Sequence, residues 1–218
     1  IGDSVSVEIV ARYGGIWKDK VATQRVNLVG RALARYAKRD SLDWRFGLLD
    51  SDAVNAFSAP NGRVFITKGL YKLLANDDEL AGVLAHEIAH ADLKHAAKMI
   101  RDANRSGVFK DVAKSVGNDA VAGSRLADLP MVSQLVEQGA AVLAKGLLVD
   151  GYPKESEFEA DRTGYELAKT TGFNSDGLRI ALTKVEANTG KAKETFNTHP
   201  STKDRLKKLP GGDKKKGK

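Results

Sequence analysis

The sequence contains no cysteine, and this absence excludes several kinds of site. Without cysteine the chain can form no disulfide, offer no thiolate nucleophile and build no zinc site that includes a sulfur ligand. Histidine is also scarce, with only four in 218 residues. Any metal site must therefore be built from these few imidazoles together with carboxylates.

Long hydrophobic runs are missing as well. The stretch from Ala140 to Val149 comes closest, but Lys145 interrupts it, and it is shorter than the about 20 apolar residues that span a bilayer. We therefore expect a soluble chain. Because the sequence begins at Ile1 without a methionine, we expect an upstream signal or anchor to have been removed, so the compartment stays open.

The excess of positive charge lies partly at the C-terminus. The net charge is +7, and the last eight residues hold four lysines against one aspartate. Such a short polar run cannot bury enough apolar surface to fold, so we expect a single domain over residues 1–210 and a disordered basic tail over 211–218. This distribution gives no reason to expect a nucleic-acid partner, although the tail is compatible with weak peripheral attraction to anionic membranes.

Alternating apolar residues predict three extended segments, at 44–48, 54–57 and 63–67. The turn Ala59-Pro60-Asn61-Gly62 joins the last two, and Asn61 is expected to take a positive φ there. We expect these strands to form a small antiparallel sheet. Helical spacing predominates in the remainder of the chain.

One predicted helix carries the sequence HEIAH at residues 86–90. Asn76 and Glu79 resemble a capping box at its start, and its apolar stripe continues to about Ile100. His86 and His90 lie four residues apart on one face and can reach a single Zn²⁺, with Glu87 beside the metal as the expected general base. The ordinary alternative is that both histidines are polar members of an amphipathic helix.

Catalytic zinc usually takes three protein ligands, so a third one is required. His95 is expected to be structural, because its position on the same helix turns it away from the face of His86 and His90. The helix after Pro153 instead offers Glu157, which we favour as the third ligand.

Asp161 lies four residues after Glu157 and therefore on the same face of that helix. It is suited to accept the second N–H of His86 and so to fix that ring. Glu155 and Glu159 form a competing pair at the same spacing. They lack the neighbouring small residues Ala160, Gly164 and Ala168, which would let the helix approach the HEIAH helix closely.

Four separated motifs resemble the HtpX/BepA-like zinc metallopeptidases, gluzincins that also include the membrane CAAX prenyl endopeptidases. They are NAFSAPNGRVFITKGL at 55–70, HEIAHADLKH at 86–95, GYPKESEFEADRTG at 151–164 and THPSTKDR at 198–205. The resemblance covers nearly the whole chain. Two departures are the sequence PNG where the family usually has PGG, and the absence of the transmembrane helices of the membrane-embedded relatives.

The resemblance implies an α+β, mostly helical, zincin-like domain whose small antiparallel sheet packs on the HEIAH helix. It implies one Zn²⁺ per chain, with His86, His90 and Glu157 as ligands, Glu87 as general base and Asp161 as the partner of a ligand. An endopeptidase that cleaves peptides or unfolded proteins, in quality control or processing outside the cytoplasm, is the implied function.

The same resemblance brings His199 and Arg205 to the catalytic site. His199 would either stabilise the developing oxyanion or occupy the open metal position and hold the enzyme latent. The ordinary alternative makes His199 a helix-entry residue before Pro200, and Arg205 a solvated helix charge.

The third predicted strand resembles the family's edge strand, to which an extended substrate can add by backbone hydrogen bonds. Its residues are Arg63, Val64, Phe65, Ile66 and Thr67. An ordinary edge strand without a substrate is the alternative.

Two other functions are compatible with the pattern. One is a peptide-binding, chaperone-like protein with a structural zinc and little turnover, which the intact Glu87 disfavours. The other is a zinc-independent interaction module with remnant motifs, which the complete ligand set disfavours. No pattern indicates an oligomeric state.

Overall fold

The structure, a computed structural model, describes residues 2–105, 143, 145–188, 199 and 202–211. Helices predominate there, and the mostly helical α+β class predicted from the sequence is confirmed. In chain order the helices are α1 Gly2–Arg12, α2 Lys20–Ala34, α3 Lys68–Leu73, α4 Asp77–Asp92, α5 His95–Arg105, α6 Lys154–Thr170, α7 Gly177–Asn188 and α8 Thr202–Lys208. A π-helical segment, Gly146–Asp150, precedes α6. Apart from Gly211, the predicted tail lies outside the described residues.

The sheet is mixed, not antiparallel as expected. Its strands are β1 Arg45–Leu49, β2 Ala56–Ser58 and β3 Arg63–Thr67, in the spatial order β1-β3-β2. β3 pairs antiparallel with β2 and parallel with β1. Alternating apolar residues indicate extended backbone but not the neighbour with which each strand pairs, so the pattern could not show that β3 lies between β1 and β2.

The turn between β2 and β3 differs from the prediction in one residue. The N–H of Gly62 donates to the carbonyl of Ala59 at 3.2 Å, which closes the turn. The positive φ, 85°, belongs to Gly62 and not to Asn61. Glycine takes this left-handed backbone without steric cost, so Asn61 is not required to do so.

Helix α4 lies at the centre of the fold. Every residue from Glu79 to Ala91 is buried, because α2, α6, α7 and two strands of the sheet surround the helix. The predicted cap is present, with Oδ1 of Asn76 accepting from the N–H of Glu79 at 3.0 Å. Close packing also needs Gly82, where a Cβ would lie 2.2 Å from the backbone nitrogen of Leu178 in α7.

The predicted long helix is interrupted before Ile100. Helix α4 ends at Asp92, Lys94 has a left-handed φ of 56°, and α5 begins at His95. The change of direction turns His95 back toward α4. Among the described residues, no helix is both long enough and apolar enough to cross a membrane.

Candidate metal centre

The HEIAH segment places its three functional side chains in the protein interior. His86, Glu87 and His90 are each at most 2 % exposed. The Nε2 atoms of the two histidines lie 3.1 Å apart, since a spacing of four residues puts both rings on the same face of α4. The Nε2 atoms of His86 and His90 therefore point toward the same position in the interior.

Helix α6 brings Glu157 to the same place. Its Oε2 lies 3.4 Å from Nε2 of His86, and its Oε1 lies 3.4 Å from Nε2 of His90. Glu157 is fully buried, and its Oε1 has no hydrogen-bond partner among the residues that the structure describes. A buried carboxylate that faces two imidazole nitrogens and has one oxygen without a donor fits a bound cation.

Close contact between α4 and α6 makes this convergence geometrically possible. A Cβ on Gly164 would lie 2.8 Å from the backbone nitrogen of His86, so only glycine fits. Ala160 and Ala168, on the same face of α6, are buried as well. The small-residue face noted in the sequence is thus the surface that meets the HEIAH helix.

Asp161 and Arg205 form a buried pair behind His86. Oδ1 of Asp161 lies 2.9 Å from Nδ1 of His86. Arg205, in α8, donates to both carboxylate oxygens of Asp161, from Nη2 at 2.6 Å and from Nε at 3.0 Å. A neutral His86 that donates its Nδ1–H to Asp161 keeps Nε2 free for a metal.

His199 completes a group of four possible ligands. Its Nδ1 lies 2.8 Å from Oε2 of Glu157, and the ligand atoms of His86, His90, Glu157 and His199 all lie within 4.8 Å of one another. The structure therefore places both His199 and Arg205 beside the HEIAH histidines.

Two residues of the site were not predicted from the sequence. Nδ1 of His95 lies 2.8 Å from Nδ1 of His90, because the helix break at Lys94 turns it inward. Tyr152 stacks on the ring of His90, with centroids 4.1 Å apart and planes 13° apart. The only sequence signal for Tyr152 was its place directly before Pro153, at the start of α6.

Burial and charge shift the pKa values of the two glutamates in opposite directions. Burial raises the pKa of Glu87, although the neighbouring His86 acts against this. Burial alone would also raise the pKa of Glu157, but the imidazoles of His199, His86 and His90 hold it well below its usual value. Glu157 is thus kept ionised as a ligand should be, while Glu87 holds a proton more readily than an exposed glutamate.

The two histidines of α4 also differ. Burial lowers the pKa of His90 to about 3, so this ring is neutral. Burial and the positive charge of Arg205 also lower the pKa of His86, but hydrogen bonds to Asp161 and Glu157 outweigh them and raise this pKa to about 9. A metal bound through Nε2 of His86 would therefore have to displace a proton from this ring.

The predicted substrate strand is not an edge strand. β3, with Arg63, Val64, Phe65, Ile66 and Thr67, is paired on both sides and cannot accept a further strand. Among the described strands, β2 is the edge near the site. Ala56, Phe57 and Ser58 line a small cavity together with Glu87 and His199.

A central HExxH helix, a glutamate from a second helix and a buried aspartate behind the first histidine are the features of a zincin-type metallopeptidase. The sequence profile of peptidase family M48 matches residues 20–212. This chain belongs to peptidase family M48.

The proteins to which the chain is similar are named as proteases or endopeptidases, in agreement with this family. Over 192 residues the chain is 28% identical to the beta-barrel assembly-enhancing protease of Escherichia coli K12, covering 86% of this chain and 38% of that protein. It is 27% identical to the mitochondrial metalloendopeptidase OMA1 of Schizosaccharomyces pombe, covering 93% and 57% of the two chains. It is also 27% identical to metalloprotease YcaL of E. coli, covering 83% and 68%.

A solved structure, that of Ste24p from S. mikatae, resembles the chain with a TM-score of 0.44 and 18% identity, covering 83% of this chain and 49% of that one. The chain spans only 38% of the length of the beta-barrel assembly-enhancing protease.

Proposed function

We propose that this chain is the catalytic domain of a zinc-dependent endopeptidase. The observation that carries the proposal is the convergence of His86, His90 and Glu157 within 4.8 Å of one another, with Glu87 buried one residue after the first ligand. Family membership supports zinc as the metal and peptide hydrolysis as the reaction. One zinc per chain matches the one such cluster found among the residues that the structure describes.

Each side chain of the site has a separate task. Zinc, when bound, supplies Lewis-acid polarisation of the scissile carbonyl and lowers the pKa of water toward neutrality. Glu87 takes the proton of the attacking water and passes it to the leaving amine, a role to which its burial-raised pKa is suited. Asp161 fixes the ring of His86, and Arg205 holds both oxygens of Asp161.

We assign substrate binding to β2 in place of β3. Ala56, Phe57 and Ser58 are at most 3 % exposed, so an extended peptide can add to the outer edge of β2 through backbone hydrogen bonds only when His199 moves aside, and it then lies alongside Glu87. Backbone pairing depends little on side chains, so this edge suits flexible or unfolded polypeptides of varied sequence. The substrate class proposed is therefore unfolded protein and peptide.

His199 is proposed to occupy the remaining ligand position and hold the site latent. A catalytic zinc site keeps one position open, whereas a set of four protein ligands is closed. His199 precedes α8 in the chain and does not belong to α4 or α6, so its departure would break its contact with Oε2 of Glu157 but would leave the helices that carry the other three residues in place. Substrate entry would then displace it.

The closed ligand set is also the observation that favours the second candidate, a peptide-binding protein with a structural zinc. Glu87 separates the two candidates, because a purely structural site has no use for a buried carboxylate that is not a ligand. We further propose quality control outside the cytoplasm as the physiological role, since one relative bears the name of a protease that enhances β-barrel assembly.

Chelation tests the proposed function directly. The zinc-loaded chain should hydrolyse an unfolded protein, lose this activity when a chelator removes the metal, and regain it when zinc is added back. The same protocol on Glu157→Ala controls for a contaminating protease, because this variant should be inactive throughout. Hydrolysis that persists after complete zinc removal would rule out a metal-dependent endopeptidase.

A further inference from the structure

His90 has two ring nitrogens with different neighbours. Nε2 faces the ligand cluster, 3.1 Å from Nε2 of His86 and 3.4 Å from Oε1 of Glu157. Nδ1 points away from the cluster and lies 2.8 Å from Nδ1 of His95. Both rings are at most 2 % exposed, so solvent does not compete for this hydrogen bond.

Only one arrangement of protons satisfies this pair of neutral rings when His90 binds a metal through Nε2. A neutral imidazole carries a single N–H, so the proton of His90 must sit on Nδ1. That N–H donates to Nδ1 of His95, which must be the unprotonated acceptor. The proton of His95 then lies on Nε2, which faces Oε2 of Glu159 at 3.4 Å.

We propose that His95 is a positioning residue for the ligand His90: it accepts the Nδ1–H of His90, fixes that tautomer, and is itself oriented by Glu159. The inference rests on the proposed role of His90 as a metal ligand. His86 has a carboxylate, Asp161, in the corresponding place. Each histidine ligand thus has its own partner, a carboxylate for one and an imidazole backed by a carboxylate for the other.

Tyr152 and His95 restrict different motions of His90. The stacked ring of Tyr152, 4.1 Å away, opposes tilting of the imidazole but allows it to rotate within its own plane. The Nδ1–H bond of an imidazole points along the plane of its own ring, so a hydrogen bond from His90 to His95 opposes that rotation. Losing His95 therefore removes a restraint that stacking cannot replace, and the lone pair of Nε2 is less well directed at the metal.

Two substitutions of different chemistry separate this role from simple packing. In His95→Asn, Oδ1 takes the place of the imidazole Nδ1 and can still accept from His90. His95→Leu fills a similar volume but offers no acceptor. Measured by competition with a chelator, the dissociation constant for zinc should rise on the order of tenfold in His95→Leu and stay within about threefold of the wild type in His95→Asn.

The contact between His95 and Glu159 can be tested with a matched control on the same helix. Glu159→Gln should weaken zinc binding by a smaller factor than His95→Leu, because the amide still accepts from Nε2 of His95 but carries no charge. Glu155→Gln, an exposed position one turn earlier on α6, should leave zinc affinity unchanged. Equal zinc affinity in wild type and His95→Leu would overturn the proposal, and so would equal losses in His95→Leu and His95→Asn.

Imidazole nitrogen spectra of the zinc-loaded wild type provide a readout that needs no variant to fold. They should show the N–H of His90 on Nδ1 and that of His95 on Nε2, and a proton on Nδ1 of His95 would overturn the assignment. Failure of the proposed function would give a different experimental result from failure of the role of His95. A wild-type chain that binds no zinc contradicts the metal site itself, whereas normal zinc binding with the wrong tautomer contradicts only the role of His95.

Discussion

Glu157 is the residue on which the site depends most. It is fully buried and faces the rings of His86, His90 and His199. A buried carboxylate is costly unless positive charge or donors compensate for its lost hydration. In the proposed site, a divalent cation held by Glu157 and the two α4 histidines would provide that compensation, which accounts for an acidic side chain at the centre of the fold.

The predicted effect of His199→Ala follows from its place among the four possible ligands. If His199 closes the site, its removal should raise the turnover of a short peptide several-fold at matched zinc occupancy, because the water position is then always open. Zinc content must be measured for each protein, since lost metal would mimic a lost catalytic group. A fall in turnover would assign His199 to oxyanion stabilisation, and an unchanged rate would contradict any functional role.

At the scale of helices, the site depends on the approach of α6 to α4. Gly164 packs directly on the backbone of α4 at His86, so the distance between the helices fixes how far Glu157 reaches. Gly177, at the start of α7, is similarly close to α4, where a Cβ would lie 2.0 Å from the carbonyl oxygen of Asp78. These contacts involve rigid backbone and cannot be relieved by rotating a side chain.

Gly164→Ala tests this approach, because two effects of opposite sign compete. Alanine in place of glycine within a helix should stabilise the protein by about 0.5–1 kcal/mol through backbone entropy. The clash with α4 should cost about 1–3 kcal/mol, so we expect net destabilisation in denaturant unfolding together with weaker zinc binding. Glu166→Ala, exposed on the same helix, is the control. Net stabilisation of Gly164→Ala would show that the helices are not in close contact.

Local signals in the sequence predicted the helices of the site well. Asn76 caps α4 and Pro153 directly precedes α6, both as expected, and Gly172 follows the end of α6 with a left-handed φ of 91°. These features succeed because caps and stops depend on a few neighbouring residues.

Predictions that required knowledge of distant neighbours were less successful. The expected antiparallel sheet was wrong, because β1 pairs parallel with β3 and neither segment alone shows which strand will be its neighbour. His95 was placed on the far side of a continuous helix, but the left-handed residue Lys94 redirects the chain. Lysine is not a typical residue for that conformation, so no local signal marked the break.

For the whole molecule, the metal ligands connect distant parts of the chain. His86 and His90 come from α4, Glu157 from α6, and His199 from the segment before α8. An unfolded chain cannot hold these groups together, so zinc bound by the proposed ligands would favour the native state and stabilise it.

Thermal unfolding should therefore depend on zinc. Zinc at a thousand times its dissociation constant should add about 4 kcal/mol to the free energy of unfolding and raise the melting temperature. A chelator should reverse the shift in the wild type. In Glu157→Ala, zinc content should be low and the melting temperature should respond little to zinc or chelator. A zinc-dependent shift of equal size in that variant would remove Glu157 from the site.

The most direct measurement for the central claim is the rate at which zinc-loaded wild type and Glu87→Gln hydrolyse an unfolded protein at equal zinc content. Glutamine keeps the size of Glu87 and leaves all ligands in place, but it cannot take a proton. We predict unchanged zinc binding and a fall in turnover of at least about 100-fold, the contribution of a general base. Glu166→Gln, an exposed carboxylate on α6, should retain full activity. Equal hydrolysis by the wild type and Glu87→Gln would contradict the proposed mechanism.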